Sequence, residues 1–218
     1  MLPLHWFLLS PCAFCRHPVD TPGPGPGPAT CLPCRERLEL PDQGLAGSQP
    51  LPWWGAGRYG GPLRQLLLDL RRRPRPEAVA ALARGARQAL ASSGPGRAGE
   101  RPLLVPIPSW KRRANPLPPL LCRALERQGG LRQIQLLERS RPVLGQHHLG
   151  RSLRIANQAG AFRTLRPPGP GEARRHPVLI VDDILTSGAT ASSAAASLTA
   201  AGWRVQGLLC LARTPAKG

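Results

Sequence analysis

The chain has 218 residues, 41% of them hydrophobic, and it carries 30 lysines and arginines against 12 aspartates and glutamates. This length allows one α/β domain with a hydrophobic core and a small additional module. No apolar run approaches the roughly 18 to 20 residues of a membrane-spanning helix, and the N-terminal residues lack the basic region and cleavage site of a signal peptide. We therefore expect a cytoplasmic protein without a membrane span.

Two Cys-x-x-Cys pairs lie near the N-terminus. Cys12 and Cys15 are separated from Cys31 and Cys34 by 15 residues, a spacing typical of four thiolates that bind one zinc ion. A segment this short has little core of its own, so a structural zinc would contribute to its folding. Redox chemistry is the alternative, but it needs only one such pair, and neither pair lies in a βαβ context.

These cysteines predict a zinc-ribbon module over residues 1–57, followed by a second domain over residues 58–218. Between the two pairs, the proline- and glycine-rich stretch 21–28 can form neither a helix nor a sheet ladder, so we expect a loop there. We expect Trp53 and Trp54 to pack between the two modules rather than stack on a base.

Two helical patterns follow the predicted boundary. Leucines at helical spacing predict a helix over residues 62–73, and an alanine-rich stretch predicts a second over 77–91. On this interpretation two helices precede the first strand of the domain.

Short apolar runs over 103–108, 178–181 and 207–212 are typical of buried parallel strands. Residues 189–202 have the composition of a helix that ends at a glycine. Strand, helix and strand in this order form a right-handed crossover. We therefore predict an α/β fold with a doubly wound parallel sheet.

Asp182 and Asp183 come directly after the strand predicted over 178–181. In a parallel sheet, ligands bind beyond the carboxyl ends of the strands. The residues that follow open the next helix, whose first amides lack intrahelical partners and whose dipole favours an anion. Helix capping would explain the hydroxyl residues, but two like charges at a strand end need a metal ion or donors. We predict a phosphate site on these residues: Thr186, Ser187, Gly188, Ala189 and Thr190.

Two basic segments could extend this site. Lys111, Arg112 and Arg113 follow the strand predicted over 103–108, at the same sheet edge as the aspartates, and could bind pyrophosphate. Solvated surface charge is the alternative interpretation. Three further residues lie close to one helical face and could form a hood over the site: Arg151, Arg154 and Asn157.

The stretch "VLIVDDILTSGAT", residues 178–190, resembles the phosphoribosyl-pyrophosphate (PRPP) motif of type I phosphoribosyltransferases. The resemblance implies that Asp182 and Asp183 hold the ribose hydroxyls, directly or through magnesium, and that residues 186–190 cradle the 5′-phosphate. Purine-salvage members usually carry a carboxylate where Thr186 stands, so the pattern here is closer to the orotate type.

Three further stretches are similar to the ComF family of competence-associated proteins. They are "YGGPLRQLLLDLRRR" (59–73), "VPIPSWKRRAN" (105–115) and "QHHLGRSLRIANQAGAF" (146–162). The chain departs from the family at 112–116, where members commonly read Arg-Gly-Phe-Asn-Gln. The resemblance implies a type I phosphoribosyltransferase-like domain, an N-terminal zinc ribbon and a role in DNA uptake or nucleotide metabolism.

The positive charge lies almost entirely after residue 57. Residues 1–57 hold three of the basic and four of the acidic residues, which leaves a net charge of +19 for the rest. Such a charge favours nucleic acid or polyphosphate as a partner. The alternative is that part of it is compositional, since nearly all the basic residues are arginines in a chain rich in glycine, alanine and proline.

Three functions remain open. In the first, a phosphoribosyltransferase binds PRPP and magnesium at 182–190, and pyrophosphate leaves toward 111–113 when a base or amine attacks. In the second, a non-catalytic competence factor binds single-stranded DNA, mainly through charge because few aromatic residues follow residue 57, and acts with other competence or DNA-processing proteins. In the third, a regulator senses PRPP. The sequence identifies neither a general base nor an acceptor.

Overall fold

A computed structural model describes residues 10–19, 29–94, 99–109, 115–140 and 160–215. The N-terminal part is a short antiparallel hairpin of β1 (Ser10–Pro11) and β2 (Pro18–Val19), followed by helix α1 (Leu32–Arg37). Among the described residues, none of the helices combines the length and the apolar character that crossing a bilayer requires.

The rest of the described chain alternates strands and helices. The strands are β3 (Leu45–Gly47), β4 (Trp53–Arg58), β5 (Leu103–Pro106), β6 (Arg132–Gln133), β7 (Leu137–Arg139), β8 (Phe162–Thr164), β9 (Val178–Val181), β10 (Ile184–Leu185) and β11 (Val205–Arg213). The helices are α2 (Gly61–Arg72), α3 (Pro76–Ser93), α4 (Leu117–Arg127), α5 (Glu172–Arg175) and α6 (Ala189–Ala200).

Seven of these strands form the central sheet, in the order β3-β4-β11-β9-β5-β6, with β10 beside β11. All neighbours are parallel except β3 and β4. Strands β7 and β8 form a separate antiparallel ribbon. The prediction of an α/β fold with a parallel sheet is therefore confirmed, while its assignment to the phosphoribosyltransferase type stays a prediction.

Both faces of the sheet are covered. On strand β9, Leu179 and Val181 pack into one core cluster together with residues of α2, α3 and α4, whereas Val178 and Ile180 pack into a second cluster with α6. Successive side chains of a strand point to opposite faces, so the uninterrupted apolar run of this strand is what a sheet buried on both faces requires. The strand's carboxyl end is the place where polar residues can begin.

Strand β4 was not predicted. The expectation that two helices precede the first strand is wrong, because β4 comes before both and lies between β3 and β11 in the sheet. Its sequence, Trp-Trp-Gly-Ala-Gly-Arg, contains glycine and alanine, which are depleted in strands. Trp53 and Trp54 lie buried in this strand, in different core clusters, and Trp54 shares its cluster with Phe14 of the cysteine segment. The predicted boundary between residues 57 and 58 falls inside β4, and the division into two domains stays a prediction.

The cysteine segment packs directly on α2. Phe14 and Leu38 share one core cluster with the buried leucines of that helix. Just after the helix, Arg75 donates a hydrogen bond of 3.1 Å from Nη1 to the carbonyl oxygen of Phe14. Through these contacts the N-terminal segment and the sheet share a continuous hydrophobic core.

Candidate functional site

The four N-terminal cysteines converge. The sulfur atoms of Cys12, Cys15, Cys31 and Cys34 all lie within 4.8 Å of one another, and the Sγ atoms of Cys15 and Cys31 are 3.7 Å apart. Tetrahedral zinc with Zn–S bonds of about 2.3 Å requires sulfur–sulfur separations of about 3.8 Å. The cluster can therefore bind a zinc ion.

The protein around this cluster favours a thiolate at one position. Burial opposes ionisation of Cys12, but backbone amides of Cys15, Cys31 and Phe14 outweigh it and lower its pKa to about 6. The pKa of Cys34 is raised, first by burial and then by the neighbouring cysteines. Four thiolates at this spacing repel one another, so full ionisation of the cluster requires a cation at its centre.

The second group of candidate site residues lies at the carboxyl end of β9. The backbone of this turn is held by the last strand, since the amide of Asp182 donates to Leu209 and the carbonyl of Asp183 accepts from the amides of Leu211 and Ala212. These bonds fix both acids at the edge where parallel strands present ligand-binding residues.

Asp183 is buried and has two side-chain partners. Only 2% of the residue is exposed. Its Oδ2 accepts a hydrogen bond of 2.6 Å from Arg71 Nε and one of 2.9 Å from Asn115 Nδ2. A buried carboxylate is stable only when charges or donors compensate for lost hydration, and these two side chains supply that compensation.

Asp182 is in a different environment. It is partly exposed, and its Oδ1 accepts a hydrogen bond of 2.9 Å from the backbone amide of Asp183. Burial of the carboxyl group, and then the negative charge of Asp183, raise its pKa to about 8. This environment favours the protonated form of the ligand-free carboxyl group, so a metal ion or ligand that requires the carboxylate must displace a proton.

The loop after the two acids leads directly into α6. Gly188 precedes the helix with φ of +81°, a conformation that strongly favours glycine. A Cβ atom there would lie 2.2 Å from Pro50 Cγ, so Pro50 packs against the loop where a side chain would stand. Thr186 is exposed and Ser187 is half-buried. Within the described residues, the amide of Ala189 donates a single, long hydrogen bond of 3.4 Å, to Ser187 Oγ.

An open cavity lies beside this loop. It has a volume of about 900 Å³ and extends from Ser187 and Ala189 along α6, with strand β8 on its other side. Ser197 on the helix and Thr164 on the strand share a hydrogen bond of 2.9 Å between their hydroxyl groups. The loop is therefore next to open space rather than enclosed in the core.

Two further arginines surround the acids and the loop. Arg213, at the end of β11, donates from Nη1 to the carbonyl oxygens of Leu185 and Thr186. Arg139, at the end of β7, lies with its guanidinium 4.5 Å from the ring centroid of Phe162. Both bring positive charge to the sheet edge that carries Asp182.

The structure brings together only part of the predicted site. Asp182, Asp183 and residues 186–190 lie along one sheet edge. The predicted pyrophosphate and hood residues lie outside the described residues: Lys111, Arg112, Arg113, Arg151, Arg154 and Asn157.

Four polar side chains near the acids were not predicted from the sequence: Arg71, Asn115, Arg139 and Arg213. Arg71 is the first of three consecutive arginines at the end of a leucine-rich helix, and no periodicity distinguishes the one that faces an aspartate. Asn115 falls in a stretch whose sequence indicates only a basic loop. The sequence therefore identified the acids but not the groups that compensate for their charge.

No family model matches the chain. It is 32% identical over 228 residues to the DNA utilization protein YhgH of Escherichia coli (strain K12), with 96% of this chain and 92% of that protein covered. The DNA utilization proteins YhgH of Salmonella typhimurium and Salmonella typhi are 32% identical over 222 residues and 33% identical over 224, with the same coverage. The chain therefore belongs to the ComF-like family of these proteins.

Proposed function

We propose that this member of the ComF-like family binds PRPP or a related phosphoribosyl ligand at the carboxyl edge of its sheet. The observation that carries the proposal is the position of Asp182 and Asp183 at the end of β9, next to a glycine-containing loop that opens α6 beside an open cavity. Paired acids recognise hydroxyl groups, and free helix amides recognise phosphate. A ribose phosphate carries both.

The loop would hold the 5′-phosphate. Its site would be formed by the first amides of α6 and by the hydroxyl groups of Thr186, Ser187 and Thr190, with the helix dipole favouring the negative charge. The ribose hydroxyls would contact Asp182 and Asp183, whose Oδ2 already accepts hydrogen bonds from Arg71 and Asn115. Carboxylate oxygens also suit magnesium, which would partly neutralise the pyrophosphate of PRPP when bound with it.

If the ligand reacts, the chain would act mainly by positioning. A phosphoribosyltransferase holds the anomeric carbon while pyrophosphate leaves and a base or amine attacks, and it stabilises the charges that develop. The residues proposed to receive the pyrophosphate are Lys111, Arg112 and Arg113, with Arg151, Arg154 and Asn157 as a hood. A regulator that senses PRPP would use the same contacts without turnover.

We further propose that the cysteine cluster holds a structural zinc. The support is the 3.7 Å separation of two sulfur atoms and the convergence of four thiols. The hairpin and α1 are short, so the metal would supply much of the energy that orders them. Cys12, Cys15, Cys31 and Cys34 would complete the zinc coordination and leave no open position for catalysis.

A second function, binding of single-stranded DNA in DNA uptake, is favoured by the relatives' name, DNA utilization protein, and by the net charge of +18. Competence or DNA-processing proteins would be its partners. Since phosphate neutralisation would dominate, affinity should fall steeply with salt, with a log–log slope of about −2 or steeper. A flat response to salt would remove this electrostatic account.

Thermal denaturation with PRPP and magnesium tests the first proposal. Ligand at about 100 times its Kd should stabilise the wild type by about 2.7 kcal/mol, and Asp182→Asn should abolish the increase in melting temperature. Asp69→Asn is the matched control, because Asp69 is an exposed acid on α2. An unchanged melting temperature in the wild type, or the same increase in Asp182→Asn, would contradict the proposal.

Turnover separates the catalytic proposal from the sensing one. A screen of nucleobases and amines for pyrophosphate release from PRPP should identify an acceptor if the chain is a transferase. If PRPP binds but no acceptor causes pyrophosphate release, a sensor is favoured. If PRPP neither binds nor releases pyrophosphate, DNA binding is the surviving proposal.

A further inference from the structure

Arg71 occupies an unusual position between the core and the sheet edge. It lies in the last turn of α2, and its Nε donates the 2.6 Å hydrogen bond to Asp183. The two side chains differ sharply in exposure, since 3% of the Asp183 side chain is accessible against 37% of that of Arg71. The anchored end of this ion pair is therefore buried, while part of the arginine remains accessible.

The guanidinium of Arg71 has N–H donors that its ion pair with Asp183 does not use. Arginine carries five N–H groups, and only that of Nε is used in this pair. Within the part of the chain that the structure describes, the terminal nitrogens Nη1 and Nη2 of Arg71 have no hydrogen-bond partner. A guanidinium held at Nε, on a side chain that remains partly accessible, is oriented in advance for an oxygen anion, because little side-chain freedom remains to be lost.

The surrounding charges also favour this arrangement. Burial disfavours the charged form of Arg71, but the hydrogen bond and charge of Asp183, and then the charge of Asp182, raise its pKa. The carboxyl groups of Asp182 and Asp183 would repel a phosphorylated ligand wherever they are ionised. A fixed cation beside them offsets that repulsion at the place where the ligand's negative charge must approach.

From these contacts we infer that Arg71 is a ligand-binding residue whose terminal guanidinium groups contact phosphoryl oxygens, and that Asp183 serves as its anchor. The inference rests on the proposed function and extends it. The site would recognise a diphosphate carried by the ribose, with Arg71 as a binding group from α2 in addition to residues 186–190.

Isothermal titration of the full chain with two probes, inorganic pyrophosphate and PRPP with magnesium, tests this role. Arg71→Gln should weaken binding of both by at least about tenfold, since a hydrogen bond to a charged group is worth about 1.5–3 kcal/mol. Arg71→Lys keeps the charge without the anchored fork and should give a smaller loss. Arg72→Gln removes the same charge from the next position, which is exposed, and should change affinity less than about twofold.

The outcomes distinguish this inference from the proposed function. Pyrophosphate binding that depends on Arg71, without PRPP binding, would support the inference and contradict the function. PRPP binding that is unchanged in Arg71→Gln and Arg71→Lys would support the proposed function and contradict the inference. Equal losses in Arg71→Gln and Arg72→Gln would show a general charge effect and overturn the inference, as would a wild type that binds neither probe. Circular dichroism of each variant excludes loss of folding, and Arg71→Lys provides the test if Arg71→Gln does not fold.

Discussion

Replacing Asp182 by asparagine should stabilise the ligand-free protein in a pH-dependent way. Burial and the charge of Asp183 raise the pKa of this carboxyl from 3.8 to about 8. Between these values the folded protein binds more protons than the unfolded chain, so stability falls as pH rises, by up to about 1.4 kcal/mol per pH unit. The loss of folding stability accumulated by pH 7 is therefore at most about 4 kcal/mol. Because Asp182 is partly exposed, we expect a loss of about 1–3 kcal/mol.

Asparagine has nearly the same shape, carries no charge and can still accept the amide hydrogen bond of Asp183. Asp182→Asn should therefore match the wild type near pH 4 and exceed its stability increasingly toward pH 8. Urea denaturation of both proteins at several pH values measures the difference, and Asp69→Asn serves as the exposed control. A difference between wild type and Asp182→Asn that is constant over this pH range would refute the assigned environment of the carboxyl group.

Two other predictions concern the metal cluster and the loop. Purified protein should contain one zinc per chain by atomic absorption, and Cys34→Ser should lose it together with more than about 2 kcal/mol of stability; a full zinc content in Cys34→Ser would contradict the assignment. Gly188→Ala should destabilise by about 1–3 kcal/mol, because its Cβ would lie 2.2 Å from Pro50 Cγ at a φ of +81°. Gly60→Ala, where a Cβ would meet nothing within 4 Å, should be nearly neutral by the same denaturation assay.

The strands and helices with strong local patterns could be predicted from the sequence. The run at 178–181 coincides with β9, and the helix predicted over 62–73 lies within one residue of α2 at each end. Strand β4 could not be predicted, because its glycines and alanine carry little strand propensity. Its place in the sheet also depends on pairing with β11, about 150 residues later.

The candidate site shows the same limit. Asp182 and Asp183 could be located because a charged pair that interrupts an apolar strand is a local signal. Their different environments could not be predicted, because Arg71 is 112 positions from Asp183 and Asn115 is 68 positions away. Spacing along the chain carries no information about such contacts, which arise only when α2 and the residues before α4 pack against the same sheet edge.

The most direct test of the central claim is a crystal structure of the protein with PRPP and magnesium. We expect the 5′-phosphate within hydrogen-bond distance of the amides of residues 187–190, and the ribose hydroxyls beside Asp182. Phosphoribosyl density at any other surface, or an empty sheet edge in crystals saturated with ligand, would contradict the account.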